Sequence, residues 1–411
     1  MDSSAAPSPS PLLLFFFFFF FLFLILPCPF SIAQEEAESM EKEALLSFKA
    51  SITADPHHVL SSWSSSPQSF PCNSSWAGIT CNNNTNNGTT SSRRRVTSVD
   101  LRKSNLTGTI SPSLSNLTFL TYLNLSINSL TGPIPPELGQ LSSLAHLDFK
   151  ENSLSGSIPS SIGNCTSLIW LDLSKNNDLS GSIPPSLGQL SVLEMLQLHN
   201  LPNLTGNIPP ELGNLTDLRY MYLGTNSLIG SIPPELGNLG KLIDLYLMQN
   251  KLIGSMPPAL GRLRNLEALS LLGNSLQGPI PPEFGNLTSL EYMWCWNAGF
   301  QGPIPVELGN VVNLKAMDLS SNNLSGSIPS TFGKLKNLQS LSVAYNKLNG
   351  TLPNEIGNLT NLQYLYAQRN HLSGDLPREL GDMKSLQELY LPANRFSGEL
   401  PAEISKLYNL S

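Results

Sequence analysis

The chain has 411 residues and a formal net charge of -7, from 23 Lys and Arg against 30 Asp and Glu. Charged residues are only 13% of the total and form no long basic stripe, which argues against a nucleic-acid partner. Length alone suggests two or three domains, but an internal period described below replaces that division with a stack that grows linearly.

Near the N-terminus, Leu12 to Leu26 is an unbroken apolar run in which Phe15 through Phe21 are all phenylalanine. The run falls short of the about twenty residues that cross a bilayer, and Ser31-Ile32-Ala33 supplies small residues where a signal peptidase reads. Residues 1–33 therefore read as a cleaved secretory signal. An uncleaved anchor is the competing reading, because Asp2 and no Lys or Arg precedes the run. Fourteen N-x-S/T sequons suit a glycosylated extracellular protein, among them Asn73, Asn105, Asn116, Asn164, Asn214, Asn286 and Asn358. Several fall in a recurrent G-N-L-T segment and say little singly.

Residues 34–95 read as a cap with an Asn-rich loop. Ala44, Leu45, Phe48 and Ile52 recur at helical spacing, and Val59, Leu60 and Trp63 follow Asp55-Pro56. Cys72 and Cys81 flank Trp76 in a loop-rich stretch, where an oxidising compartment favours a disulfide. No second Cys or His pair lies near, which argues against zinc. Asn82 to Ser92 is nearly all Asn, Thr, Ser and Gly and reads as a flexible loop. Arg93, Arg94 and Arg95, followed by Arg102 and Lys103, are the only basic run and are expected to be solvated.

From Val96 onward a pattern L-x-x-L-x-L-x-x-N-x-L-x-G-x-I-P-x-x-L-G-x-L-x-x returns every 24 residues. Thirteen units begin at Val96, Leu120, Leu144, Leu168, Leu193, Leu218, Leu242, Leu266, Leu290, Leu314, Leu338, Leu362 and Leu386. A fourteenth starts at Leu410, with no C-terminal cap, so residues 96–411 read as part of a longer stack. One-residue insertions occur only near Asn177 and Pro202. This is the leucine-rich-repeat signature, an α/β repeat solenoid. The alternating L-x-x-L-x-L run puts leucines inward and their neighbours outward, and stacking makes a parallel sheet on the concave face. At about 4.8 Å per strand, thirteen strands span on the order of 60 Å. The ninth-position Asn can satisfy backbone groups of its own and the adjacent coil. It is replaced in units one, five and nine by Ser104, Leu201 and Ala298, where the ladder is expected to weaken. Gly follows in every unit, as at Gly132 and Gly278, where the chain needs a costly backbone conformation. Pro follows in twelve, as at Pro135 and Pro281, and removes a donor on the outer side. Cys165 and Cys295 occupy Leu or Val positions and are expected to be buried and unpaired.

The segment "NSLTGPIPPELGQL" resembles the plant-specific class of leucine-rich repeats, and "EALLSFKASITADPHHVLSSW" followed by "CNSSWAGITC" resembles the N-terminal cap of plant receptor-like kinases. The resemblance covers Glu43 to Ser411. It implies a right-handed superhelix, a peptide or protein ligand on the inner face, and a shorter leucine-rich-repeat co-receptor. It also implies a membrane span and a kinase, which would lie beyond this sequence. Some plant peptide receptors hold a ligand's carboxylate with two arginines one residue apart on a strand. No repeat here has that pair, and Arg219 and Arg369 stand alone. The repeats also lack the large insertion of steroid-binding relatives.

The expected concave face carries Tyr220, Tyr222, Tyr246, Tyr292, Trp294, Trp296, Tyr364, Tyr366 and Tyr390. Exposed aromatics are enriched among binding hot spots, although Tyr also simply suits strands. A polar cluster lies nearer the N-terminus: His146, Asp148, Lys150, Glu151, Trp170, Asp172 and Lys175. Such mixed charges are usually cross-strand pairs of little worth. Asn124 is a sequon on the same face, where a glycan would obstruct that end. No H-E-x-x-H, G-x-S-x-G or G-x-x-x-x-G-K-S/T occurs, and the five histidines lack metal-ligand spacing, so no enzyme, metal or cofactor is expected. The sequence therefore points to the extracellular ligand-recognition domain of a plant receptor-like kinase, at the plasma membrane or secreted to the cell wall. The alternative is a repeat protein without a kinase, either a receptor-like protein or an inhibitor of pathogen wall-degrading enzymes.

Overall fold

The computed structural model describes residues 29–73, 75–82 and 94–411, with side chains from residue 36. The apolar run Leu12–Leu26, Cys28 and nearly all of the Asn-rich loop lie outside the described residues. No helix among the described residues is long and apolar enough to cross a membrane.

The chain coils once per repeat. Each unit contributes a three- to five-residue strand to one sheet, from Val96–Asp100 in unit one to Glu388–Tyr390 in unit thirteen. Unit strands pair in parallel, in matched register such as Leu147↔Leu171 and Leu245↔Leu269. The cap strand Ile79–Cys81 adds antiparallel to unit one, which makes fourteen strands in all. Inward leucines fill the coil: Leu120, Leu123 and Leu125 are fully buried, and so are their counterparts up the stack to unit twelve, whereas Leu389 and Leu391 of unit thirteen are partly buried. Opposite the sheet, each unit turns through a short 3-10 segment such as Pro136–Gln140 or Pro210–Asn214.

The ninth-position Asn does what its chemistry suggests. Asn128 Nδ2 donates to the carbonyls of Leu101 and Leu125, both at 2.9 Å, and its Oδ1 accepts from Leu106 N–H at 2.9 Å. The expected weakening at unit nine is offset by the backbone. There the Ala298 carbonyl accepts from Leu276 N–H at 2.8 Å, where other units use an amide side chain. In unit five Leu201 is buried, and its N–H is taken by Asn226 Oδ1 at 2.7 Å.

Two features were not legible beforehand. A second ladder runs along the N-x-L-x-G stretch, six strands from the cap through unit five and five strands from unit nine onward. Between them single bonds continue the coil, as from Ile229 N–H to the Gly206 carbonyl and Ile253 N–H to the Gly230 carbonyl, both 2.9 Å. The thirteenth-position glycines have φ of 73–83° in twelve units, which meets the expectation of a costly conformation. The eighth position, however, is also left-handed throughout, and twelve units place a non-glycine there, including Ile127 at φ 57° and Thr225 at φ 58°.

Helix α1 (Pro29–Ser51) begins ahead of the expected cleavage point after Ala33. It buries Ala44, Leu45 and Phe48 against unit one. Ile52, expected on the helix, instead starts a strand Ile52–Ala54 that pairs with Thr107–Thr109. Trp63 stacks on Trp76 at 5.5 Å, and Cys72 and Cys81 form the expected disulfide. Arg95 is not solvated. Its Nε donates to Glu41 Oε1 at 2.6 Å, its guanidinium lies 4.4 Å from the Phe119 ring centre, and Glu41 also accepts from Val96 N–H. Arg94 donates to the Cys72 carbonyl. Arg95, with Arg94 beside it, thus docks the cap, because an unpaired Glu41 at this apolar junction would be costly. Cys165 and Cys295 are buried and unpaired, and burial pushes the Cys165 thiol up to about 11.

Candidate ligand-binding face

In a three-residue unit strand the middle side chain points inward and the flanking two stand on the open face. Tyr220, Tyr222, Tyr246, Tyr292, Trp294, Tyr364 and Tyr366 occupy such positions and are half-buried, with their inward neighbours Met221, Leu245, Met293 and Leu365 buried. Trp296 and Tyr390 are more exposed, at 45% and 54%. The aromatic stripe expected from the sequence is therefore on the face, but it is two clusters rather than one. Units ten and eleven present Ala316, Asp318, Ser340 and Ser342 between them.

The central cluster is self-packed. The rings of Tyr222 and Tyr246 lie 4.9 Å apart, those of Tyr246 and Trp294 6.2 Å, and those of Tyr292 and Trp294 5.3 Å. Tyr246 and Trp294 belong to units seven and nine. They meet because unit eight offers only Ala268 and Ser270 there, both buried. Tyr222 OH donates to Asp244 Oδ2 at 2.7 Å, and burial together with that bond raises its hydroxyl above the usual phenol range. Trp296 Nε1 donates to Ser321 Oγ at 3.0 Å. The second cluster holds Tyr364 stacked on Tyr366, and Tyr366 against Tyr390. Tyr366 OH donates to Glu388 at 2.6 Å, and this bond, ahead of burial, pushes its hydroxyl up to about 12.

The N-terminal polar group is more ordered than a set of loose surface pairs. Tyr122, His146 and Trp170 stack in sequence, with ring centres 4.4 and 5.4 Å apart. Tyr122 was missed from the sequence, although it occupies the strand position of Tyr220. Asp172 is 3% exposed and accepts from Ser174 N–H at 2.9 Å and Ser174 Oγ at 2.6 Å. Burial, which outweighs those bonds, pushes its carboxyl up to about 6. Lys175 pairs with Glu151, while Asp148 accepts from Lys150 N–H at 3.0 Å and from Asn124 Nδ2 at 3.2 Å. Asn124 is itself 3% exposed and engaged through both amide atoms, so in this fold the sequon amide is committed to the protein rather than presented on the face. Asn73, Asn105, Asn116, Asn164, Asn214, Asn286 and Asn358 are exposed.

Between the two groups lies a shallow pocket of about 230 Å³, lined by Gln197, His199, Tyr222, Gly224, Tyr246 and Met248. Of these, sequence reasoning chose only the two tyrosines as candidates for the ligand. Among the described residues, His199 Nδ1, His146 Nε2 and Trp170 Nε1 are buried polar atoms without a hydrogen-bond partner. Burial lowers the affinity of both imidazoles for a proton.

Comparison with known proteins agrees with this architecture. Family models described as leucine-rich repeat region match residues 91–226, 185–323 and 305–411, and the leucine rich repeat N-terminal domain matches residues 38–82. A probable LRR receptor-like serine/threonine-protein kinase of Arabidopsis thaliana is 41% identical over 85 residues, which is 20% of this chain and 7% of the kinase. The crystal structure of PEPR1 with AtPEP1 superposes with a TM-score of 0.83 at 38% identity, covering 90% of this chain and 51% of that one. The Arabidopsis receptor kinase HAESA ectodomain, in complex with an extended IDA peptide hormone, gives 0.73 at 37% identity, covering 92% and 61%. The chain thus spans roughly half of these receptor chains and a small part of the kinase.

Proposed function

Because the chain belongs to the leucine-rich-repeat family, we propose that it is the extracellular ligand-recognition domain of a plant receptor-like kinase. It binds an extended peptide along the concave sheet. The observation that carries this reading is the central aromatic cluster, in which Tyr222, Tyr246, Trp294 and Tyr292 pack together on the open side of the sheet. Nothing in the coil core requires them, since the inward positions of the same strands are already filled by Met221, Leu245 and Met293. Peptide complexes among the structural relatives support the same reading. Location at the cell surface and recruitment of a shorter leucine-rich-repeat co-receptor belong to this proposal.

The test uses the secreted full chain and peptides selected on it from a displayed library of random 12-residue sequences. Combined Tyr246→Ala, Trp294→Ala and Tyr366→Ala substitution is expected to weaken the selected peptides by about 30-fold or more, as loss of hot-spot aromatics does. Circular dichroism of the variant should match the parent. Unchanged affinity, or no peptide selected at all, would overturn the proposal.

A further inference from the structure

We infer that the pocket of units five to seven is an anchor site for one aliphatic side chain of the ligand. The inference rests on the peptide-binding reading above and adds where the ligand is fixed and by what kind of residue.

The pocket is a grid of two outward positions on three successive units. Gln197, Tyr222 and Tyr246 form one row, and His199, Gly224 and Met248 the other. The middle of the second row has no side chain, and that absence makes the floor. Gly224 is the unusual member. Its backbone lies outside the left-handed region, so no turn requires a glycine there. A β-carbon at Gly224 would meet the Met248 sulfur at 2.8 Å, the movable part of a flexible side chain, rather than any backbone atom. A glycine that the backbone does not need costs conformational entropy on folding. The other twelve units carry a side chain at this position, from Arg102 and Lys150 to Trp296 and Gln368. Neither backbone geometry nor packing accounts for Gly224, and the opening does.

The chemistry of the walls selects the occupant. At about 230 Å³ the pocket is smaller than the roughly 300–1,000 Å³ of small-molecule sites and has room for a single side chain. The ring of His199 stands edge-on to that of Tyr222 at 86°, and Tyr246 and Met248 close the other side, so the surface offered is chiefly apolar. Met adjusts to irregular contacts better than a stiff side chain. A charged side chain would lose its hydration here without a counter-ion among the six lining groups.

The full chain is expected to select, from the random 12-residue library, peptides sharing one aliphatic residue. Gly224→Met fills the floor. It should leave the thermal midpoint unchanged or raised, weaken the selected peptides about 10-fold or more, and abolish the aliphatic preference when the library is reselected on it. Gly224→Ala, which needs only a small shift of Met248, should give a smaller loss in the same direction and carries the test if Gly224→Met fails to fold. If Gly224→Met retains affinity and preference while the triple aromatic variant does not bind, the anchor site is refuted and the peptide-binding reading stands. If both variants bind as the parent does, both are refuted. Selection of a charged residue at the shared position would refute the anchor chemistry alone.

Discussion

Asp172 offers a quantitative test of the face, because its environment disfavours its own charge. The side chain is 3% exposed, faces Asp148 on the adjacent strand, and is stabilised as a carboxylate by two Ser174 donors and, to a lesser extent, by the Lys150 charge. Its carboxyl is pushed from 3.8 to about 6, first by burial. At about 1.36 kcal/mol per pH unit, holding Asp172 ionised in the fold costs on the order of 3 kcal/mol. The sign follows from linkage: the folded state binds the proton more tightly than the unfolded one. The penalty is absent below pH 3.8, grows as pH rises, and is complete above about pH 6. Asp172→Asn keeps an oxygen for Ser174 and removes the charge, although neutral hydrogen bonds are about half as strong as charge-assisted ones. The net gain at pH 7.5 is therefore expected to be about 1–3 kcal/mol. Repeat stacks unfold through neighbouring units rather than as one cooperative block, so the readout is the midpoint of the earliest thermal transition at pH 4.0 and pH 7.5, on unglycosylated protein because the variant creates an Asn-Leu-Ser sequon. The variant should melt higher than the parent at pH 7.5 and together with it at pH 4.0. A difference of the same size at both pH values, or a less stable variant at pH 7.5, would refute the reasoning.

Two further predictions concern the scaffold. Ile127 is a β-branched residue at φ 57°, a conformation that costs L-residues about 1–2 kcal/mol, whereas units five and nine use Asn200 and Asn297 at the same position. Ile127→Asn should raise stability by about 1 kcal/mol in urea unfolding of unglycosylated protein, since the change creates an Asn-Asn-Ser sequon, and a loss would show that the side chain's contacts outweigh the strain. Gly213 sits in a 3-10 segment where a β-carbon would lie 2.5 Å from the Glu235 carbonyl oxygen of the next unit. Gly213→Ala must part the two coils and should cost about 1–3 kcal/mol, while a neutral outcome in the same assay would mean that the stack yields there without penalty.

The repeat period made the concave sheet, the inward leucines and the Asn ladder legible, because each depends on a fixed spacing that recurs thirteen times. The disulfide was legible from Cys72 and Cys81 alone. The second ladder was not, because the N-x-L-x-G stretch is short and polar and resembles loop chemistry. Nor was the left-handed eighth position, since residues as different as Lys103, Thr225 and Tyr345 fill it and no composition marks it. Arg95 was misread as solvated because its partner Glu41 is 54 residues away on α1. Asn124 showed a valid sequon, but only the fold shows its amide committed to Tyr122, Asp148 and Ser126. At the site, the tyrosines could be placed on the face, whereas their division into two clusters depended on residues with nothing to advertise, such as Ser340 and Ser342.

That last point bears on where recognition is written in such a chain. Adjacent strands stand about 4.8 Å apart, so rings on units seven and nine have anchors about 9.6 Å apart. Tyr246 and Trp294 nevertheless bring their ring centres to 6.2 Å, so they lean together over unit eight by about 3 Å. They can do so because Ala268 and Ser270 leave that unit low. Two units earlier, Gly224 opens a pocket between His199 and Met248 for the same reason. The face is thus shaped as much by small residues as by large ones. A large aromatic on a repeat strand adds area, while a small residue beside it decides whether that area is a flat stack, a leaning pair or a cavity. On the peptide-binding reading proposed above, recognition in this chain is carried by the contrast between neighbouring units at one outward position, which a consensus averages away and a stacked coil places side by side.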